Sequence, residues 1–291
     1  MIIWIASYPK SGNTWVRALL SYYFFSKEKK FNFDILKHIP NFNIGDFVSE
    51  NTKFPSNLEY ADKALETQKF ICQKFKMNTF FKTHSSLSKI KNNFFTDKSV
   101  SLGCIYVVRD PRNVITSYKN FENFGYQKML KIMMDENSFL YSSKTTQRKL
   151  KIKGMEIISS WGQNYNSWVN NNLGIPICLV KYEDLIKNTL AELQKIFEFI
   201  KKLNSEKKTS FNLDRGKTTV LETGFNNLKK LEQKVGFSEK DEKDRTHAFF
   251  NQGKLNDWNS ILPNEIKESI ENKFYKEMKE LGYLSLCWLI H

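Results

Sequence analysis

The first 25 residues constrain the fold more than any other stretch. Met1–Ser7 is a short apolar run rich in Ile, the pattern of a strand buried on both faces. It runs without a break into Tyr8-Pro9-Lys10-Ser11-Gly12-Asn13, a loop of Pro, Gly and small polar residues. Thr14–Phe25 follows, with Trp15, Ala18, Leu19 and Tyr22 at helical spacing. Strand, short loop and helix in this order give an anion site. The N–H groups of a helix N-terminus point at the ligand, and the helix dipole favours negative charge there. Gly12 permits close approach of the backbone, Lys10 adds a compact positive charge, and Ser11 and Thr14 add hydroxyl donors. The loop therefore suits phosphate or sulfate. It lacks the GxxxxGK[ST] order of a nucleoside triphosphate loop, because here the Lys precedes the Gly.

Three further strands are expected at Thr79–Lys82, Cys104–Val108 and Ile177–Val180. Helices are expected at Ala61–Lys74, Pro111–Phe121, Gly154–Asn171 and Leu190–Ile200, with a charged amphipathic helix at Asn264–Leu281. Strands alternating with helices predict an α/β fold: a single, P-loop-like, three-layer domain over residues 1–291, its central parallel sheet flanked by helices. Lys201–Lys217 and Ser238–Arg245 are the most polar stretches and read as surface loops or lids.

The other strand ends also carry chemistry-bearing residues. Arg109 closes the second of these strands. Asp110 is placed to cap the next helix and Pro111 to begin it, and Ser117 lies about two turns further on. Ligands of open α/β sheets sit at the carboxyl ends of strands, and the planar fork of Arg suits phosphate. At another strand end, Lys82 and His84 lie two apart, so in extended chain they point the same way. One can stabilise charge and the other can accept a proton. Tyr182, in Lys181-Tyr182-Glu183-Asp184, marks the end of the last strand. Phe249-Phe250-Asn251-Gln252-Gly253-Lys254 forms a Gly-containing polar loop.

Composition narrows the remaining classes. The net charge is +14, from 45 basic and 31 acidic residues, yet few of the basic residues are Arg, and Asn, Ile and Phe are abundant. That bias is typical of AT-rich coding sequence and reads as solvated lysine surface, so nucleic-acid binding is not expected. Four scattered cysteines form no CxxC, and the histidines show no metal-ligand spacing, so neither a disulfide framework nor a metal site is expected. No apolar run approaches the roughly 20 residues that span a bilayer, and no signal peptide is visible. A cytoplasmic protein is expected.

Taken together and in order, these stretches resemble the cytosolic sulfotransferase family and its bacterial relatives, from Ser7 to Trp258. The resemblance implies 3′-phosphoadenosine 5′-phosphosulfate (PAPS) as donor co-substrate, 3′-phosphoadenosine 5′-phosphate (PAP) as product, and no metal. It implies that Lys10, Ser11, Gly12, Asn13 and Thr14 hold the 5′-phosphate and sulfate, and that Trp15 stacks on the adenine. Arg109 and Ser117 would clamp the 3′-phosphate, Tyr182 would contact the nucleotide, and Thr223 and Phe225 would border the adenine. Gly253 and Lys254 belong to the loop that completes the clamp. His84 would be the general base, with Lys10 and Lys82 offsetting charge at the reacting sulfate. The family usually has Arg-Lys-Gly where this chain has Asn251-Gln252-Gly253, so the clamp has lost two charges. The family's dimerisation motif is not recognisable around Trp258–Glu265, which leaves the oligomeric state open. Acceptor pockets in the family come from variable loops, here Phe42–Tyr60, Ser85–Lys98 and Phe124–Leu150. Their Phe, Tyr and Met content suits a phenol, sterol or lipid alcohol without separating these from a carbohydrate. A P-loop kinase-like enzyme is the alternative reading.

Overall fold

A computed structural model describes residues 1–47, 56–141, 155–205, 209–237, 248–250 and 257–284. Its centre is a four-stranded parallel sheet in the order β2-β1-β5-β8, formed by β1 (Ile2–Ser7), β2 (Thr79–Thr83), β5 (Ser101–Val108) and β8 (Ile177–Lys181). Two antiparallel hairpin pairs lie outside it: β3 (Lys89–Ile90) with β4 (Asn93–Phe94), and β6 (Phe139–Tyr141) with β7 (Met155–Ile157).

Burial on both faces follows from side-chain alternation along the strands. From β1, Ile2, Trp4 and Ala6 enter one core and Ile3 and Ile5 the other; from β5, Cys104, Tyr106 and Val108 enter the first and Ile105 and Val107 the second. The second core is closed by α1 (Asn13–Phe25), α7 (Tyr182–Lys187) and α8 (Thr189–Leu203), through Leu19, Leu20, Leu185, Ile196 and others. The first core is closed by α3 (Ala64–Phe75), α4 (Pro111–Glu122), α5 (Tyr126–Met134) and α6 (Trp161–Val169), with α12 (Asn264–Lys273) and α13 (Tyr275–Glu280) behind them. The result is the predicted three-layer arrangement. Short α2 (Asn57–Asp62) precedes α3. The remaining described α-helices are α9 (Leu213–Glu222), α10 (Phe225–Val235) and α11 (Trp258–Ile261).

Four sequence expectations change. Gly154–Asn171 is not one helix: Met155–Ile157 is a strand paired with Phe139–Tyr141, and the helix begins only at Trp161. Ser159 has a positive φ of 55°, and the Ser160 side chain accepts the Gln163 N–H as an N-cap, so the chain turns sharply between strand and helix. Ala61–Lys74 is split at Lys63 into α2 and α3, and Asn264–Leu281 is split at Phe274 into α12 and α13. Lys201–Lys217, read as a loop, contains the end of α8 and the start of α9, which Asn212 caps by accepting the Arg215 N–H. The 238–245 lid lies outside the described residues.

The chain order fixes where a ligand goes. From β1 the chain crosses to β2 on one side and returns past β1 to β5 on the other, so the order reverses at the carboxyl ends of β1 and β5. That is the crevice in which open α/β sheets bind ligands.

Candidate functional site

Residues from all four strand ends meet at this crevice. After β1 the loop tightens into α1 through two left-handed residues, Lys10 (φ 65°) and Gly12 (φ 104°, ψ 12°). Glycine is required at position 12 for a second reason: a Cβ there would sit 2.5 Å from Cδ2 of Tyr182. The Asn13 side chain ties the loop to the strand, its Nδ2 donating to the Ile5 carbonyl at 3.0 Å and to Ser7 Oγ at 3.1 Å. That amide is thereby committed to the scaffold, which leaves Asn13 its main-chain N–H for a ligand.

Several buried polar atoms around the loop have no hydrogen-bond partner: Ser11 Oγ, Asn13 Oδ1, Trp15 Nε1 and Arg109 Nε. Buried polar groups are ordinarily paired, because leaving one unpaired costs about 1–3 kcal/mol. Such a cluster beside a helix N-terminus fits an anionic group that accepts from Ser11 and Arg109. Arg109 is buried, donates to the Lys10 carbonyl at 3.4 Å, and stacks with its guanidinium carbon 4.1 Å from the centre of the Tyr182 ring. Tyr182 in turn meets Trp15 edge-on at 5.8 Å. Loop, β5 end and β8 end therefore form one continuous wall.

Beyond that wall a cleft is lined by Trp15, Tyr182, Ile186, Thr189, Val220, Gly224 and Phe225. Its two apolar aromatic sides suit a flat heterocycle. Thr223 is not in the lining: it is fully buried and its hydroxyl donates to the Thr219 carbonyl at 2.7 Å. Ser117 is half-buried on α4, two turns from Arg109. Gly253 and Lys254 lie outside the described residues.

The Lys10 ammonium lies 3.9 Å from the centre of the Phe121 ring and 4.4 Å from that of Phe249. Phe249 is held by Glu232, whose carboxylate accepts the main-chain N–H groups of Phe249 and Phe250 at 2.6 and 2.9 Å. Desolvation inside this cage, followed by repulsion from Arg109 and Lys82, lowers the Lys10 pKa to about 7, against weaker attraction from Glu122 and Glu232. The sequence reading places Phe249 in the polar loop without this role and misses Phe121 and Glu232, since no local motif records a side chain brought in from another element.

His84 follows β2 and is 9% exposed. Its Nδ1 lies 2.8 Å from the Ser7 carbonyl oxygen. A carbonyl only accepts, so Nδ1 carries the proton and Nε2 has the lone pair. The imidazole is thus held in the tautomer a base requires. Lys82 pairs with Ile5 in the sheet and adds to the positive field at Lys10. His84 thus meets the end of β1 at Ser7, while Lys82 pairs two residues earlier, at Ile5. Among the described residues no group of three or more His, Cys, Asp or Glu could hold a metal ion, and no helix is long and apolar enough to cross a membrane.

Comparison with known proteins agrees with this fold. The family described as Sulfotransferase domain matches residues 2–282. An amine sulfotransferase of Oryctolagus cuniculus is 24% identical over 98% of this chain and 83% of its own length. A flavonol 4′-sulfotransferase of Flaveria chlorifolia is 25% identical over 96% of this chain and 80% of its own. Among solved structures, a mouse sulfotransferase complexed with PAP superposes with a TM-score of 0.58 at 17% identity, over 97% of this chain and 86% of that one.

Proposed function

The chain belongs to the sulfotransferase domain family, and we propose that it moves a sulfuryl group from PAPS to a hydroxyl or amine of a small acceptor, with His84 as the general base. The match over residues 2–282 supports reading the chain as one such domain. Bound PAPS would supply an activated sulfate whose leaving group is the 5′-phosphate of PAP. The observation that carries the reading is the set of unpartnered buried donors, Ser11 Oγ and Arg109 Nε, at a helix N-terminus beside an aromatic cleft.

The residues divide the work. Main-chain N–H groups at the start of α1, with Ser11 and Thr14, hold the 5′-phosphosulfate. Arg109 with Ser117 holds the 3′-phosphate, and Trp15 and Phe225 take the adenine between them. His84 Nε2 accepts the acceptor's proton as its oxygen or nitrogen bonds to sulfur. The bond from sulfur to the bridging oxygen breaks, and its electron pair leaves with PAP. Lys10 and Lys82 offset the negative charge on the bridging and equatorial oxygens. Positioning and fixed charge do most of the catalysis, as in phosphoryl transfer. The kinase-like alternative is not favoured, because the loop order and His84 do not serve a metal–triphosphate. The relatives named for amine and flavonol acceptors support a small-molecule acceptor over a glycan.

The test is transfer of labelled sulfate from PAPS to a panel of phenols, alcohols, amines and glycans. Wild type is expected to label a small phenol, alcohol or amine. His84→Ala is expected to lose about 10²–10⁴-fold in turnover, the usual contribution of a general base, while still binding PAP. Turnover near wild type in His84→Ala would remove His84 from the chemistry.

A further inference from the structure

We infer that Glu156 and Asn164, which belong to none of the motifs above, are positioning residues for His84, and that Glu156 joins the base to the β6–β7 hairpin. This rests on the reading of His84 as base.

Three separate elements hold His84. From β7, Glu156 Oε1 accepts the His84 main-chain N–H at 2.7 Å and the Thr83 hydroxyl at 2.8 Å. Thr83 Oγ1 in turn accepts the Ser85 N–H at 3.0 Å. One carboxylate oxygen thus fixes the chain on both sides of the histidine. From α6, Asn164 Nδ2 donates to the His84 carbonyl at 3.0 Å and to the Ile158 carbonyl at 2.8 Å. The Asn164 Oδ1 accepts from the Tyr106 hydroxyl at 2.7 Å, and the residue is fully buried. From β1, the Ser7 carbonyl holds the ring. The N–H, the C=O and the imidazole Nδ1–H of one residue are each taken by a different element.

Such a clamp is needed because β2 ends at Thr83, so His84 lies beyond the sheet. Among the described residues β2 is also the edge of that sheet, paired along its length with β1 and bridged on its other side at Lys82 alone, by Asn41. Without tethers its last residue would be as loose as any strand end, whereas a base must lie within hydrogen-bond reach of the proton it takes. Displacement by about 1 Å costs on the order of 10²-fold in rate. Hydrogen bonds to a carboxylate are the stronger class, and here they bridge the base strand to β7.

The test compares Glu156→Leu, which has similar bulk and no acceptor, with Glu156→Gln, which keeps one accepting oxygen. Both are measured for kcat, acceptor KM, PAP affinity by calorimetry and thermal midpoint, beside His84→Ala. Glu156→Leu is expected to lose about 30–100-fold in kcat, within the range for a misplaced catalytic group, with PAP affinity unchanged. Glu156→Gln is expected to recover most of that loss. Wild-type kcat in Glu156→Leu while His84→Ala is inactive would overturn the positioning role alone. An active His84→Ala would overturn the reading of the base. A Glu156→Leu protein that binds PAP poorly, or a Gln variant as impaired as Leu, would show that Glu156 serves the fold or contributes charge, and would also overturn the inference.

Discussion

The two halves of the site are built in opposite ways. On the donor side, the buried donors Ser11 Oγ, Trp15 Nε1 and Arg109 Nε are left without partners, and Lys10 carries a lowered pKa inside an aromatic cage. On the base side, the main-chain N–H, the carbonyl and the ring Nδ1–H of His84 all have partners. A surface that binds an anion gains from unspent donors, whose desolvation cost is returned when the ligand arrives. A base gains from having its orientation settled beforehand, since reorganisation during the reaction costs rate. On the proposed reading, the first half takes up a ligand and the second is already assembled.

The largest effect that tests this contrast lies just behind the donor side. Arg112 donates to Asp110 at 2.7 Å, to Glu271 at 2.6 Å and to the Tyr283 carbonyl at 2.8 Å, all within the protein. It anchors the strand end carrying Arg109 to the C-terminal helices. Arg112→Met leaves two buried carboxylates without their cation and is expected to cost about 3–5 kcal/mol, read as a lower midpoint in urea unfolding. A midpoint near wild type would mean that the C-terminal helices do not brace the site.

A smaller effect is confined to the donor loop. Gly12→Ala forces a left-handed alanine, at about 1–2 kcal/mol, and drives its Cβ into the Tyr182 ring that supports Arg109. PAP affinity is expected to fall by roughly tenfold or more, since about 1.4 kcal/mol is tenfold. The His84 clamp should be untouched, so turnover at saturating donor should fall much less. Calorimetry and steady-state kinetics separate the two; equal losses in both would mean that the halves are not independent.

The smallest effect is a pH dependence. With a pKa of about 7 in the free protein, Lys10 is charged below that pH and neutral above it. An anionic ligand favours the charged form, so binding above pH 7 must take up a proton. PAP affinity is therefore expected to hold below pH 7 and to weaken above it, by at most about tenfold per unit for a single proton. Lys10→Met should bind more weakly and lose this slope. A slope that survives in Lys10→Met belongs to another group.

Much of this arrangement is legible in the sequence because its parts are local. The β1–loop–α1 unit, the Arg109-Asp110-Pro111 strand end and the Lys82–His84 pair each occupy a few consecutive residues, and the unbroken apolar runs of β1 and β5 announce a sheet buried on both faces. The hairpin of β6 and β7 is not legible in the same way. Met155–Ile157 is too short to show a period, and its partner strand lies more than ten residues upstream. Only the cap signal at Ser160 marks where the helix truly starts. Glu156, Asn164, Glu232 and Phe121 were invisible for a related reason. Each acts through a contact distant in sequence, and a single Glu or Phe carries no mark of the element it will meet.

On the proposed reading these strand ends form a site for a 3′,5′-bisphosphate nucleotide. Calorimetric titration of PAP, adenosine 5′-phosphate and ATP with Mg²⁺ into wild type and Arg109→Ala tests it directly. Wild type is expected to prefer PAP over adenosine 5′-phosphate by about 10–150-fold, the value of a charged hydrogen-bond clamp of roughly 1.5–3 kcal/mol. Arg109→Ala should nearly erase that preference. Wild-type protein that binds ATP with Mg²⁺ as tightly as PAP, or an Arg109→Ala variant that keeps the full preference, would contradict the account.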